Sequence, residues 1–109
     1  TPFSPDASPE PSRAEIDAVP EPLLLEFGAS WCGHCRAATP LIASALAAHP
    51  RVRHLRIEDG PGRRLGRSFG VKLWPTLIFL DRGHELERLV RPTAVEPIAA
   101  GLARLHALP

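Results

Sequence analysis

Between residues 23 and 46 the chain passes from a short apolar run straight into a helical repeat, and two cysteines sit at the junction. Leu23-Leu24-Leu25-Glu26-Phe27, bounded by Pro22 and Gly28, reads as a buried strand that carries one carboxylate. From Gly33 to His49 the apolar positions Ala38, Leu41, Ile42, Ala45 and Leu46 recur at i, i+3, i+4, i+7 and i+8. That spacing predicts an amphipathic helix, bent at Pro40. Val52 to Ile57 alternates and reads as the next strand. Strand, helix and strand in that order imply parallel neighbours joined by a right-handed crossover.

The other segments complete the layout. Ser12 and Glu15 have the spacing of a capping box and start a short helix that ends before Pro20. Leu65 and Phe69 share one face of a short helix after Pro61-Gly62. Thr76-Leu77-Ile78-Phe79-Leu80 is a strongly apolar strand, Asp81 to His84 a hairpin turn, and Glu85 to Val90 its alternating antiparallel partner. Ile98, Leu102 and Leu105 mark a C-terminal amphipathic helix. Two starts fit it: a capping box over Thr93 to Glu96, or Pro97 as the first helical residue. The whole order predicts an α/β fold, a central mixed β-sheet flanked by helices on both faces.

Composition bounds the function. The chain has 109 residues, 44% hydrophobic and 23% charged, enough for one packed domain and too apolar for general disorder. Its longest apolar stretch, Leu41 to Ala48, is broken by Ser44 and falls far short of the roughly 18 residues of a membrane span. The formal net charge is +1, so neither nucleic acid nor an anionic lipid surface is an expected partner. Of the 13 prolines, six fall in the first 22 residues. Residues 1–11 are therefore expected to form a flexible Pro-rich arm, and residues 12–109 the domain. The arm lacks the charged start and apolar run of a secretory signal, which favours the cytoplasm. The sequence does not begin with Met, and a periplasmic or membrane-tethered piece of a longer protein is the alternative.

Trp31-Cys32-Gly33-His34-Cys35 lies where the strand gives way to the helix. Cys32 falls at the helix N-terminus, where free N–H groups and the helix dipole favour a thiolate. Cys35 returns one turn later, within disulfide reach. His34 can add positive charge or a hydrogen bond to the Cys32 sulfur. This is the pattern of a redox dithiol, with Cys32 as exposed attacker and Cys35 as buried resolver. Two structural cysteines are the plain alternative. Zinc would need two further ligands, and His49 and His54 lack the paired spacing of a zinc site, so no metal is expected.

With Leu25-Glu26-Phe27-Gly28-Ala29-Ser30, Pro40, Phe69-Gly70-Val71, Trp74-Pro75-Thr76 and Gly83, the cysteine motif resembles the thioredoxin superfamily over about nine-tenths of the chain. The resemblance implies a thioredoxin-like fold, a nucleophilic Cys32, and a cis proline at Pro75 facing the dithiol. It implies a carboxylate, Glu26, that takes the proton of Cys35, and Arg56 stands where a lysine commonly partners that carboxylate. Gly33-His34 is similar to the dipeptide of protein disulfide isomerases, where thioredoxins carry Gly-Pro. Trp74 replaces a small aliphatic residue, and Arg91 lies near an expected substrate-facing glycine. The first strand of the family is barely visible.

The expected function is a thiol–disulfide oxidoreductase of protein disulfides. Cys32, Cys35, Glu26 and His34 would be catalytic, and Trp31, Gly33, Trp74, Pro75 and Arg91 would bind substrate. No cofactor beyond the redox-active disulfide is implied. Its partners would be protein disulfides and a thiol or disulfide recycling partner, met as a monomer. The alternative is a thioredoxin-like interaction or electron-delivery module of a larger protein, with little general turnover. A carboxylate in an apolar strand is costly unless it is paired, neutral or used. Removing the charge of Glu26 is accordingly expected to leave stability unchanged or raised. Arg63, Arg64 and Arg67 form a basic run that reads as a solvated face or as a surface for an acidic partner.

Overall fold

A computed structural model describes residues 10–106. Of the expected arm over residues 1–11, only Glu10 and Pro11 lie within the described residues. The elements run α1 (Arg13–Asp17), β1 (Leu23–Gly28), α2 (Gly33–Leu46), β2 (Arg53–Glu58), α3 (Arg64–Ser68), β3 (Thr76–Asp81), β4 (His84–Val90) and α4 (Val95–His106). The sheet order is β2-β1-β3-β4. β1 and β2 are parallel, and β3 is antiparallel to both β1 and β4. Among the described residues the sheet has four strands with β2 at its edge, so the barely visible first strand of the family has no counterpart there.

β1 is central and buried along its whole length, which is why it tolerates three consecutive leucines. Its alternation sends Leu24 into a core with α2 and α4, through Ala38, Ile42, Ile98 and Leu102. Leu23, Leu25 and Phe27 face the other way, against Ile16 of α1 and Leu65 of α3. Glu26 shares the Leu24 face by the same alternation and so lies under α2.

The expected mixed sheet with helices on both faces is therefore present, and three details differ from the periodic reading. α2 continues through Pro40 to Leu46 and stops short of His49. Pro40 removes the donor that would serve the Arg36 carbonyl, a local loss the helix tolerates because its apolar face is buried. α4 begins at Val95, so Pro97 is its third residue, still within the first turn where no N–H is needed. Strict alternation fails in β4. Phe79 pairs with Glu87 and Leu80 with Glu85, a bulge that leaves Leu86 as the extra residue. The shift lets Leu86 and Leu89, three residues apart, pack on the same core. Between β3 and β4, Arg82 and Gly83 have φ of 47° and 85°, the two positive values of a type I′ hairpin.

α1 is short, and its ends are held from outside. Ser12 Oγ accepts the Glu15 N–H at 3.1 Å while the Ser12 N–H donates to Glu15 Oε1 at 3.0 Å, the predicted capping box. Arg13 donates to the Ser68 carbonyl at 2.8 Å and sits 3.7 Å from the Phe69 ring centre. α3 has no side-chain cap of its own from Arg63. Glu10 supplies one across 55 residues, accepting the Leu65 N–H at 2.9 Å, and it pairs with Arg63 at 2.9 Å.

Candidate active site

Cys32 is the N-cap residue of α2, extended in backbone, and its Sγ accepts the Cys35 N–H at 3.3 Å. A cap position normally calls for a side-chain oxygen. Sulfur in that place turns the free donors of the first helical turn toward a thiolate. The two thiols are free and unequal. Cys32 is 7% exposed and Cys35 1%, both packed with Ala29 and Trp74. The expected exposed attacker is thus largely covered, because Trp74 closes over it.

Burial works to raise the Cys32 thiol, but it is outweighed. The Cys35 thiol, the backbone N–H groups of Cys35 and His34 and the charge of Arg91 together hold it below its ordinary value. Cys35 goes the other way. Burial, followed by the bond its thiol gives to Cys32, pushes it up to about 12, and the charges of Cys32 and Glu26 add to the rise. His34 gives the Cys32 sulfur the hydrogen bond expected of it, from its backbone. Its ring is exposed, and its backbone N–H is what reaches the sulfur.

A groove of about 390 Å³ opens beside the dithiol. Cys32, Gly33 and His34 form one wall, with Trp31; Lys72, Leu73, Trp74 and Arg91 form the other. Trp31 is 68% exposed and meets the Trp74 ring edge-on at 5.4 Å between centres. The Trp74–Pro75 bond is cis, and Pro75 is buried while Trp74 lines the groove. Of the residues predicted to bind substrate, Trp31, Gly33, Trp74 and Arg91 therefore come together around Cys32, while Pro75 is not part of the groove lining.

Beneath the dithiol, Glu26 has no exposed surface. Arg56 lies opposite it in the β1–β2 register and grips both carboxylate oxygens, Nε to Oε1 at 3.2 Å and Nη2 to Oε2 at 3.4 Å. The Nη2 group also donates to Thr39 Oγ1 at 2.8 Å, and that hydroxyl donates to the Cys35 carbonyl at 3.0 Å. The carboxylate is thus fixed to the backbone of Cys35 through two side chains.

Sequence reasoning missed Thr39, His54 and Asp59. His54 Nε2 lies 2.7 Å from Glu26 Oε1. Its place two residues before Arg56, on the same strand face, was a usable signal. Asp59 accepts the Trp74 indole N–H at 2.8 Å and holds that ring over the dithiol. Gly66 makes room for it, since a Cβ there would collide with the Asp59 carboxylate. No motif marks such a contact. Among the described residues no three His, Cys, Asp or Glu side chains converge as metal ligands would, and no helix is long and apolar enough to cross a membrane.

The sequence profile of the thioredoxin family matches residues 8–104. The chain belongs to the thioredoxin family. Among solved structures, this thioredoxin-family domain is similar to thioredoxin 2 of Pseudomonas aeruginosa in its reduced form. The two are 50% identical with a TM-score of 0.83, over 96% of this chain and 94% of that one. It is 43% identical to human protein disulfide-isomerase A2 over 88 residues, which is 75% of this chain and 17% of that protein. It is 38% identical to a Chlamydia muridarum thioredoxin over 68 residues, 62% of this chain and 67% of that protein. The chain thus spans under a fifth of the isomerase and about two-thirds of the small thioredoxin. Thioredoxin and isomerase relatives together support thiol–disulfide chemistry for this family member.

Proposed function

We propose that this domain exchanges disulfides with protein substrates through Cys32 and Cys35. The Cys32 thiolate attacks one sulfur of a substrate disulfide. A mixed disulfide forms, and the substrate's other sulfur leaves as a thiolate. Glu26 takes the proton of Cys35, and the Cys35 thiolate attacks the Cys32 sulfur. The Cys32–Cys35 bond forms, the bond to substrate breaks, and the substrate departs with two thiols once its sulfurs take up protons. The reverse sequence oxidises a substrate. The step draws on no metal or organic cofactor, and one chain carries every group in it.

The asymmetry of the two sulfurs carries this reading. Cys32 lines the groove and is held below the ordinary thiol value, while Cys35 sits behind it with its thiol pushed up to about 12. Substrate would lie along the groove against Trp31 and Trp74. The test is reduction of insulin by dithiothreitol with and without the protein, together with Cys35→Ser. The wild type should accelerate precipitation of the insulin chains, and the variant should accumulate a mixed disulfide on Cys32. No acceleration would leave the second reading, a docking or electron-delivery module. The exposed Trp31 and Leu73 beside the dithiol favour that reading next.

A further inference from the structure

Glu26 has no exposed surface and Arg56 is permanently charged, so neither can pass a proton to water unaided. A carboxylate that accepts a proton from Cys35 in every cycle needs a way to lose it. Among the described residues, His54 is the one other side chain bonded to that carboxylate: its Nε2 stands 2.7 Å from Oε1, and its ring is 24% exposed. The imidazole thus has one end on the buried acid and part of its surface in solvent. It is also the side chain that gains and loses protons near neutral pH.

We propose that His54 is the solvent-side end of a proton path from Cys35 through Glu26, acting on the resolving step through Glu26. The inference rests on the reading of Glu26 as proton acceptor. Cys35 gives its proton to Glu26 as it becomes the attacking thiolate. Glu26 passes that proton to Nε2 of the neutral ring, and the imidazole releases one to water. The carboxylate is restored, and no electrons move in these transfers. The two residues that hold Glu26 thereby divide the work. Arg56 ties the carboxylate to Thr39 and so to the Cys35 backbone, at 11% exposure. His54 opens it to solvent.

Three elements bring charged or titratable groups to this face. Glu26 comes from β1, Arg56 and Glu58 share the face of β2 by alternation with His54, and Cys35 comes from α2. Of these, Glu26 is the group His54 touches. Resolution requires the neutral ring, because an imidazolium cannot accept the proton from Glu26.

Rapid-quench single turnover with a disulfide peptide separates first attack from resolution. Two variants serve, His54→Ala and His54→Gln, the second keeping a hydrogen-bonding group beside Glu26 without a proton to carry. Both should resolve the mixed disulfide about tenfold or more slowly, attack substrate at the wild-type rate, and lose the limb of the pH profile that depends on the ring. Free imidazole should rescue His54→Ala. Wild-type resolution in His54→Gln overturns the proposal. So does slow resolution in both variants with the pH limb intact and no rescue, which would make His54 a support for the carboxylate. Glu26→Gln in the same assay tells the two readings apart. If it is slow while the His54 variants are normal, only the proton path falls. If it too is normal, the base assignment falls with it.

Discussion

Nε of Arg91 donates to the Trp74 carbonyl at 2.8 Å, and its backbone N–H donates to the Pro75 carbonyl at 2.9 Å. The loop after β4 is thereby tied to the wall of the groove, and its charge helps lower the Cys32 thiol. Arg91 has φ of 51°, a left-handed backbone that costs a non-glycine residue about 1–2 kcal/mol. Glycine at this position would relieve that cost and remove the charge. In Arg91→Gly the pH midpoint of Cys32 alkylation should rise toward 9.0, the ordinary thiol value. Urea unfolding should change by less than about 1.5 kcal/mol, as strain relief offsets the lost hydrogen bond. An unmoved midpoint would take Arg91 out of the electrostatics of the site.

The two thiols should alkylate in order. At limiting iodoacetamide near pH 7, Cys32 reacts first, since its thiol is held below the ordinary value. Cys35, pushed up to about 12, should follow only in strong alkali. Linkage gives Cys35 a sign in stability as well. Both states keep its proton below the ordinary value of 9.0, and above it the unfolded chain ionises first. The contribution of this thiol is therefore intact below pH 9 and declines as pH rises toward 12. Unfolding of the reduced Cys32→Ser protein across that window would isolate it. Peptide mapping that finds Cys35 labelled first reverses the assignment of nucleophile and resolver.

His34 offers a clean separation of ring from backbone. Its N–H supports the Cys32 thiolate while its ring is exposed. His34→Ala should leave the reduction potential nearly unchanged. His34→Pro removes the N–H, destabilises the reduced form and should lower the potential by about 30 mV for each 1.4 kcal/mol lost. A glutathione titration reads both. A large drop in His34→Ala would give the ring a share in holding the thiolate beside the backbone N–H.

Glu26→Gln should destabilise the protein, against the expectation for an isolated buried carboxylate. The carboxylate is paired, and removing its charge takes the counter-charge from Arg56, whose side chain is mostly covered. The cost should be about 1–3 kcal/mol, below that of a fully buried pair because Arg56 retains some solvent. Equal urea midpoints for variant and wild type would mean that the charge of Glu26 adds nothing to the hold on Arg56.

Gly101 sits in α4 against the ring of Phe79. A Cβ there would approach the ring to 2.6 Å. Alanine gains up to about 1 kcal/mol of helix propensity, yet overpacking of this kind costs about 1–3 kcal/mol. Gly101→Ala should therefore lower the melting temperature by a few degrees. A higher one would show that α4 moves away from the sheet at little cost.

The sequence by itself determined the elements and their order, because each is written in local periodicity. The repeat of α2 has the helical period, and the apolar runs of β1 and β3 are too short for a buried helix and rich in strand formers or bounded by Pro and Gly. The place of the dithiol between β1 and α2 follows from the same local patterns. Element ends were less legible. The β4 bulge, the start of α4 at Val95 and the stop of α2 at Leu46 depend on what lies against them. Only the tertiary structure decided the surroundings of the sulfurs and of Glu26. Strand register sets Arg56 opposite Glu26 and brings His54 to its free side, across some 30 residues of chain. Folding likewise carries Asp59 to Trp74 and Glu10 to the start of α3. Such contacts join groups distant in sequence, and a charged residue looks alike in one dimension whether it meets water or a buried partner. Charge, hydrogen bonding and burial act through space, so the partners of these side chains became readable only once the sheet was assembled.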